Sequence, residues 1–211
     1  MKFTAKGRQY EVDKFGVIHE LNPEPFVYDL NYVSCYDGPE YQKKSEMLQA
    51  MRFACVSTVH GRPIRSLIDY GYGQGDFMKM ARRQIPVVYG YDLTRVHVDN
   101  CEIVNKLVPV DAITFNDALE HVPDLEFVND LPCETVMISL PNCEYHIKGV
   151  KWFEDWYHRK PSEHLHFFDE ESLIKFMDSM GWQHRSTGRH EDIVRARGYD
   201  WNILTCGFKR K

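Results

Sequence analysis

The feature that most limits how this 211-residue chain can fold is a run of three glycines at alternating positions, Asp69-Tyr70-Gly71-Tyr72-Gly73-Gln74-Gly75-Asp76. It stands between the apolar run RSLIDYG and the helical pattern DFMKMARRQ. Glycine reaches positive φ at little steric cost and lets a ligand approach the backbone, and the first N–H groups of a helix have no partner inside that helix. A strand entering such a loop and a helix leaving it therefore form a cradle for the polar part of a ligand. Seventeen positions after Gly75 the next strand-like run, VVYGYDL, ends at Asp92-Leu93. An acid there is placed to accept hydrogen bonds from ribose hydroxyls. Together the two features predict a nucleoside-type pocket at the C-terminal edge of a parallel sheet.

The surrounding pattern agrees. From Arg65 onward short apolar runs alternate with helical ones: RSLIDYG, DFMKMARRQ, VVYGYDL, a helical stretch from 95 to 107, DAITFND, TVMISLPN and DEESLIKFMDSM. Near-continuous apolar strands between helices predict an α/β fold with a mostly parallel sheet covered on both faces. WQHRSTG and WNILTCGFK, with no full-length helix between them, predict an antiparallel C-terminal pair. Upstream, apolar positions at helical spacing predict a helix over about 40–59 that leads into the glycine loop. RQYEV and GVIHEL flank a Gly-containing turn and predict a hairpin, followed by a Pro-punctuated aromatic stretch. The chain thus divides into a lid-like extension over 1–38 and a ligand-binding domain over 39–211.

The spacing G-x-G-x-G with an acid two residues ahead differs from the dinucleotide pattern G-x-G-x-x-G. It resembles the first motif of the class I S-adenosylmethionine-dependent methyltransferases, D-x-G-x-G-x-G, matched here by Asp69, Gly71, Gly73 and Gly75. TFNDALEHVPD (114–124) is similar to the segment after the fourth strand in their small-molecule group, with its E-H-V-x-D signature. ISLPN (138–142) and EHLHFFDEESLIKFMDSMGW (163–182) extend the resemblance over most of 65–208. It implies a Rossmann-like methyltransferase fold with S-adenosyl-L-methionine as cofactor. On this basis Asp69 and the glycines surround the methionyl part, Asp92 and Leu93 the ribose end, and Asn116 with Asp117 lies near the sulfonium. Only 18 residues separate Asp92 from Asp111, too few for a full helix and strand, so the third strand is expected truncated or absent and the adenine contact stays unassigned.

Methyl transfer from a sulfonium is an in-line displacement, and a hydroxyl or amine acceptor must also lose a proton. Histidine suits that task near neutral pH. His121 follows the fourth strand, and His164 and His166 precede a helix on the same side of the fold. His121 is the first candidate base and His166 the second. The competing readings are a loop-holding hydrogen bond for His121, and one packed and one solvated ring for His164 and His166. His158, Glu163, His164 and His166 could gather a metal, but no further ligand has characteristic spacing, and no metal is expected. The aromatic stretch KWFEDWYHRK reads as an amphipathic helix packed on the core or as a cap over the acceptor. Tyr28, Tyr32, Tyr36 and Tyr41 carry the same ambiguity, with Tyr36 the candidate to close over the cofactor.

Composition narrows the partner. Lys+Arg 26 against Asp+Glu 31 gives a formal net charge of -5, so a domain-wide face for tracking phosphates is not expected. Residues 111–171 hold 14 acidic against 4 basic residues, whereas 181–211 hold 7 basic against 3 acidic. An acidic acceptor half suits a neutral or cationic small molecule, although Arg185, Arg189, Arg195 and Arg197 could hold one anionic group. Nucleic acid is not expected: the chain has Asn116-Asp117-Ala118-Leu119 where amino-directed enzymes carry N/D-P-P-Y, and Pro132-Cys133 is misplaced for a cytosine C5 nucleophile. A nucleotide or modified base as acceptor, or a non-catalytic cofactor-binding module, stays open. Six scattered cysteines and the absence of a signal-like or membrane-length apolar run predict a cytoplasmic protein with reduced thiols.

Overall fold

The computed structural model describes residues 1–29, 39–195 and 202–211, with the backbone alone over 39–44. Tyr32, Cys35, Tyr36 and Arg197, and the side chain of Tyr41, lie outside the described residues. Seven strands form the main sheet: β4 (Ser66–Tyr70), β5 (Val87–Tyr91), β6 (Glu102–Ile103), β7 (Val110–Asn116), β8 (Cys133–Pro141), β10 (Trp182–Gly188) and β11 (Ile203–Arg210). Their order is β10-β11-β8-β7-β4-β5-β6. All pairs from β8 to β6 are parallel, and β11 runs antiparallel to both β8 and β10. This is the expected Rossmann-like α/β sheet with an antiparallel C-terminal strand.

Side-chain alternation explains why the sheet is covered on both sides. Leu67, Val88, Ala112 and Met137 face one way, onto Val56 of α1 (Pro39–His60) and onto Phe77, Met78 and Ala81 of α2 (Asp76–Arg82). Ile68, Ile113, Val136 and Ile138 face the other way, onto Leu173, Phe176 and Met177 of α4 (Glu170–Ser179). Asp169 begins α4 with a capping box to Ser172. With both faces occupied by apolar rows, the strands have one register, and their C-terminal ends line up.

Two expectations need correction or extension. The helix predicted over 95–107 does not form. Arg95 and Asn100 take left-handed backbone (φ 51° and 60°), and the β-branched Val96, Val98, Ile103 and Val104 disfavour helix. The segment instead yields the two-residue β6, the truncated third strand that the short span requires. The N-terminal hairpin, β2 (Arg8–Val12) and β3 (Ile18–Leu21), gains an outer strand β1 (Lys2–Ala5). It then pairs with β9 (His166–Phe167), Ile18 opposite Phe167 and His19 opposite His166. Tyr10, Ile18 and Phe167 form a separate core with Phe153 of α3 (Tyr145–Asp155). The aromatic stretch is therefore packing: Phe153 is fully buried and Trp152 stacks on Trp156 at 5.1 Å. No described helix is long and apolar enough to cross a membrane.

Candidate active site

The C-terminal ends of β4, β5 and β7 bring the predicted residues together. Gly71, Gly73 and Gly75 all have positive φ (72°, 53° and 75°). Two of them have no room for a side chain: a Cβ on Gly75 would lie 2.3 Å from Val98 Cγ2, and one on Gly71 would lie 2.7 Å from Ala118 Cβ. At Gly73 nothing lies within 4 Å, so its backbone faces open space. The loop is tied to β5, because the Gly71 N–H donates to the Tyr91 carbonyl (2.7 Å) and the Gly73 N–H to Asp92 Oδ2 (3.0 Å). Asp92 Oδ1 accepts from the Thr94 N–H and hydroxyl. Leu93 is exposed.

Asp69 sits at the end of β4, 2% exposed. Its Oδ1 accepts from Thr114 Oγ1 (2.8 Å) and Asn116 Nδ2 (2.9 Å). Burial pushes its carboxyl up to about 7 despite those two donors. Asn116 keeps a buried Oδ1 with no hydrogen-bond partner among the described residues. Such an orphaned acceptor costs about 1–3 kcal/mol unless a donor arrives. Beyond Asp92, Arg95, Glu102, Ile103, Val104, Asn105 and Lys106 line a cavity of about 330 Å³. The Val104 N–H donates to the Gly90 carbonyl, which fixes this end of β6 beside β5.

Asp117 has a positive φ of 55° and its side chain is committed elsewhere. It pairs with Arg52 of α1 (2.9 Å) and with Arg195 of α5 (Glu191–Arg195). Burial alone would raise its carboxyl, but Arg195 and Arg52 hold it well below the usual carboxylate range. Arg52 also binds Glu191 (2.9 Å), which is fully buried and bonded to the Ser139 hydroxyl. Sequence reasoning missed Arg52 and Glu191, since neither belongs to a motif. Arg195, read as an anion holder, instead pairs with these carboxylates, and Arg189 bonds Asn202.

The histidines expected on the acceptor side separate. His121 ends a single helical turn (Leu119–His121). Its Nδ1 lies 2.8 Å from the Glu163 carbonyl and 2.9 Å from the Tyr28 hydroxyl, which assigns the proton to Nδ1. Nε2 is left facing Glu120, 3.9 Å away. Burial lowers the pKa of His121, so the ring is neutral. His166 is differently engaged: Nδ1 contacts His19 Nδ1 (2.7 Å) and Nε2 donates to the Val122 carbonyl (2.8 Å). Nδ1 holds the seam between β3 and β9, and Nε2 ties β9 to the end of the Leu119–His121 turn, which leaves neither for an acceptor's proton. His164 turns toward His121, ring centroids 4.6 Å apart. Glu120 is 2% exposed, and burial, with Asp117 nearby, pushes its carboxyl well above the ordinary value. Of the four N-terminal tyrosines, Tyr28 is the one the described structure brings to this site.

A family described as "Methyltransferase domain" matches residues 41–187. No curated protein matches the chain. Among solved structures, the 1,6-didemethyltoxoflavin-N1-methyltransferase of Burkholderia thailandensis, with bound 1,6-didemethyltoxoflavin and S-adenosylhomocysteine, is 14% identical at a TM-score of 0.59. That likeness covers 99% of this chain and 98% of the other. The magnesium protoporphyrin IX methyltransferase of Synechocystis PCC 6803 with bound SAM is 15% identical (TM-score 0.51), covering 89% and 86%. A Mesorhizobium loti S-adenosylmethionine-dependent methyltransferase is 12% identical (TM-score 0.53), covering 75% and 97%.

Proposed function

The chain belongs to the methyltransferase-domain family, and from that membership we propose that it transfers the methyl group of S-adenosylmethionine to a small-molecule acceptor. The observation that carries this reading is the open cradle at Gly73, flanked by Asp69, Asp92 and the orphaned Asn116 Oδ1. The cofactor fits it: its ammonium supplies the donor that Asn116 Oδ1 lacks and a cation for the buried Asp69 carboxyl, its ribose hydroxyls meet Asp92, and its adenine takes the cavity by Val104 and Asn105. The sulfonium supplies an electrophilic methyl, and the residues around it align the acceptor and exclude water. His121, with Nδ1 held by Glu163 and Tyr28, offers Nε2 as the acceptor-side base. An acidic acceptor half supports a neutral or cationic acceptor, and the two solved neighbours whose names give an acceptor use small molecules. The five described cysteines are all free, which supports a reducing, cytoplasmic setting.

Calorimetric titration of S-adenosylmethionine and NADH, each against the purified protein, tests the reading. Binding of the first is expected; binding of NADH alone would overturn it. In the same assay Asp92→Ala is expected to weaken the cofactor by about 1–3 kcal/mol, the scale for a lost charged hydrogen-bond partner. Unchanged affinity would remove Asp92 from the site.

Asp69 adds a pH dependence with a definite sign. Its carboxyl titrates at about 7 in the free protein, while a cationic ligand selects the ionised form. Affinity is therefore expected to rise with pH up to about 7, by at most tenfold per unit, and then to level off. Asp69→Asn should bind more weakly and show a flat profile over pH 5.5 to 7. A steep profile in that variant would assign the proton to another group.

A further inference from the structure

We propose that Glu120, His121 and His164 form a site for one borderline divalent cation of the zinc or cobalt class, beside the cofactor pocket on the acceptor side. The proposal rests on the reading of this loop as the acceptor side of a methyltransferase, and it specifies how His121 works there.

The geometry comes first. One carboxylate oxygen of Glu120 and one ring nitrogen each of His121 and His164 lie within 4.8 Å of one another. Metal–ligand bonds of about 2.0–2.2 Å place ligand atoms up to about 4.4 Å apart around a shared ion. Small side-chain rotations therefore close the set. Chain order alone would not gather these groups: the Leu165 N–H donates to the Glu120 carbonyl (2.8 Å) and pins the two segments together. The Glu163 carbonyl occupies Nδ1 of His121, which directs Nε2 toward Glu120. A carbonyl on the second ring nitrogen is the usual support of a metal-ligating histidine, since it fixes both tautomer and ring plane.

Glu120 provides the second, independent observation. Its residue is 2% exposed, and neither carboxylate oxygen has a hydrogen-bond partner among the described residues. A buried carboxyl facing two imidazoles, with both oxygens unmet, is costly in a protein that uses it for nothing. A cation satisfies it, and two imidazoles with one carboxylate select borderline divalent ions over magnesium or calcium. Three protein ligands leave coordination positions for the acceptor's oxygen or nitrogen.

With the ion bound, Nε2 of His121 is a ligand, and the ion acidifies the acceptor in its place. The acceptor's proton leaves to solvent, its lone pair takes the methyl, and the carbon–sulfur bond breaks to leave the neutral thioether. Proton and charge balance without a further reactant.

Cobalt(II) titration of the metal-free full chain, followed by visible absorption, tests the site. Wild type is expected to bind one equivalent with the absorption bands of a four- or five-coordinate ion, and Glu120→Gln and His164→Gln should each weaken binding at least tenfold. Thermal melts separate this from a structural role. Zinc should raise the wild-type melting temperature, whereas Glu120→Gln in chelator should melt no lower than wild type and should gain nothing from zinc. If wild type binds no stoichiometric cobalt, or if Glu120→Gln binds it as wild type does, the site is wrong. Calorimetry with S-adenosylmethionine on the same samples keeps the two readings apart: retained cofactor binding without a metal overturns only the cation site.

Discussion

Arg52→Ala is expected to destabilise the protein by about 3–5 kcal/mol, the cost of removing one partner from a buried ion pair. For a chain of this length that lowers the melting temperature by roughly 6–20 °C. Arg52 donates through Nε and Nη2 to Glu191 and through Nη2 to Asp117. Glu191 is 0% exposed. Without the guanidinium, Glu191 keeps Arg195 and the Ser139 hydroxyl, but two carboxylates, Glu191 fully buried and Asp117 partly exposed, then share one cation. The attraction between Arg52 and its partners had offset the desolvation of all of them, and that desolvation remains. The pair Arg52→Met with Glu191→Leu should recover much of the loss, because it removes the stranded charge with its partner. Calorimetric melts of the three proteins decide it. A single variant that melts with wild type would mean that the network is solvated and adds little. The acid side has a definite sign: Asp117 is held below its unfolded value, so its contribution is complete above about pH 4 and is lost as pH falls below that.

That network also shows where sequence reasoning stops. The glycine loop and Asp69 were legible because their chemistry is local: positive φ, a strand end and a helix start are written into Asp69–Asp76, and Asp92 because it closes the next apolar run. The sheet was legible because buried parallel strands show as apolar runs, and the truncation of the third strand because 18 residues cannot hold more. Residues 95–107 misled. Their apolar positions fall near helical spacing, yet Val98 is drawn into the space beside Gly75, a contact set by tertiary packing. Arg52, Glu191 and Glu120 were illegible for a similar reason. Each is an ordinary charged residue on a helix or turn, and its meaning comes from partners 65 and 139 positions away for Arg52, and 44 positions away for Glu120 and His164. A weak signal was present for Glu120, since it sits inside the E-H-V-x-D segment that drew attention to His121.

The two histidines nominated from sequence make opposite predictions. His121→Ala is expected to slow methyl transfer by about 10²–10⁴-fold, the range for loss of an acid–base group, and to leave cofactor affinity within about twofold. The residues proposed to hold the cofactor, Asp69 on β4, Asn116 on β7 and Asp92 directly after β5, have hydrogen bonds that do not pass through His121. On the proposed reading the imidazole faces the acceptor, with its Nδ1 spent on Glu163, its Nε2 turned toward Glu120 and its ring beside that of His164. The loss should therefore fall on kcat rather than on the binding of S-adenosylmethionine. His166→Gln removes a ring of similar burial only two residues from His164, but its nitrogens join His19 to the Val122 carbonyl. Its cost should appear as a lower melting temperature, with turnover of the folded protein within a few-fold of wild type. Single-turnover methyl transfer from labelled S-adenosylmethionine, run on both variants with one small hydroxyl or amine acceptor, separates them. Equal rates for His121→Ala and wild type would deny His121 any part in activating the acceptor, whether as base or as ligand. A His166 variant that folds normally and turns over a hundredfold more slowly would reverse the assignment.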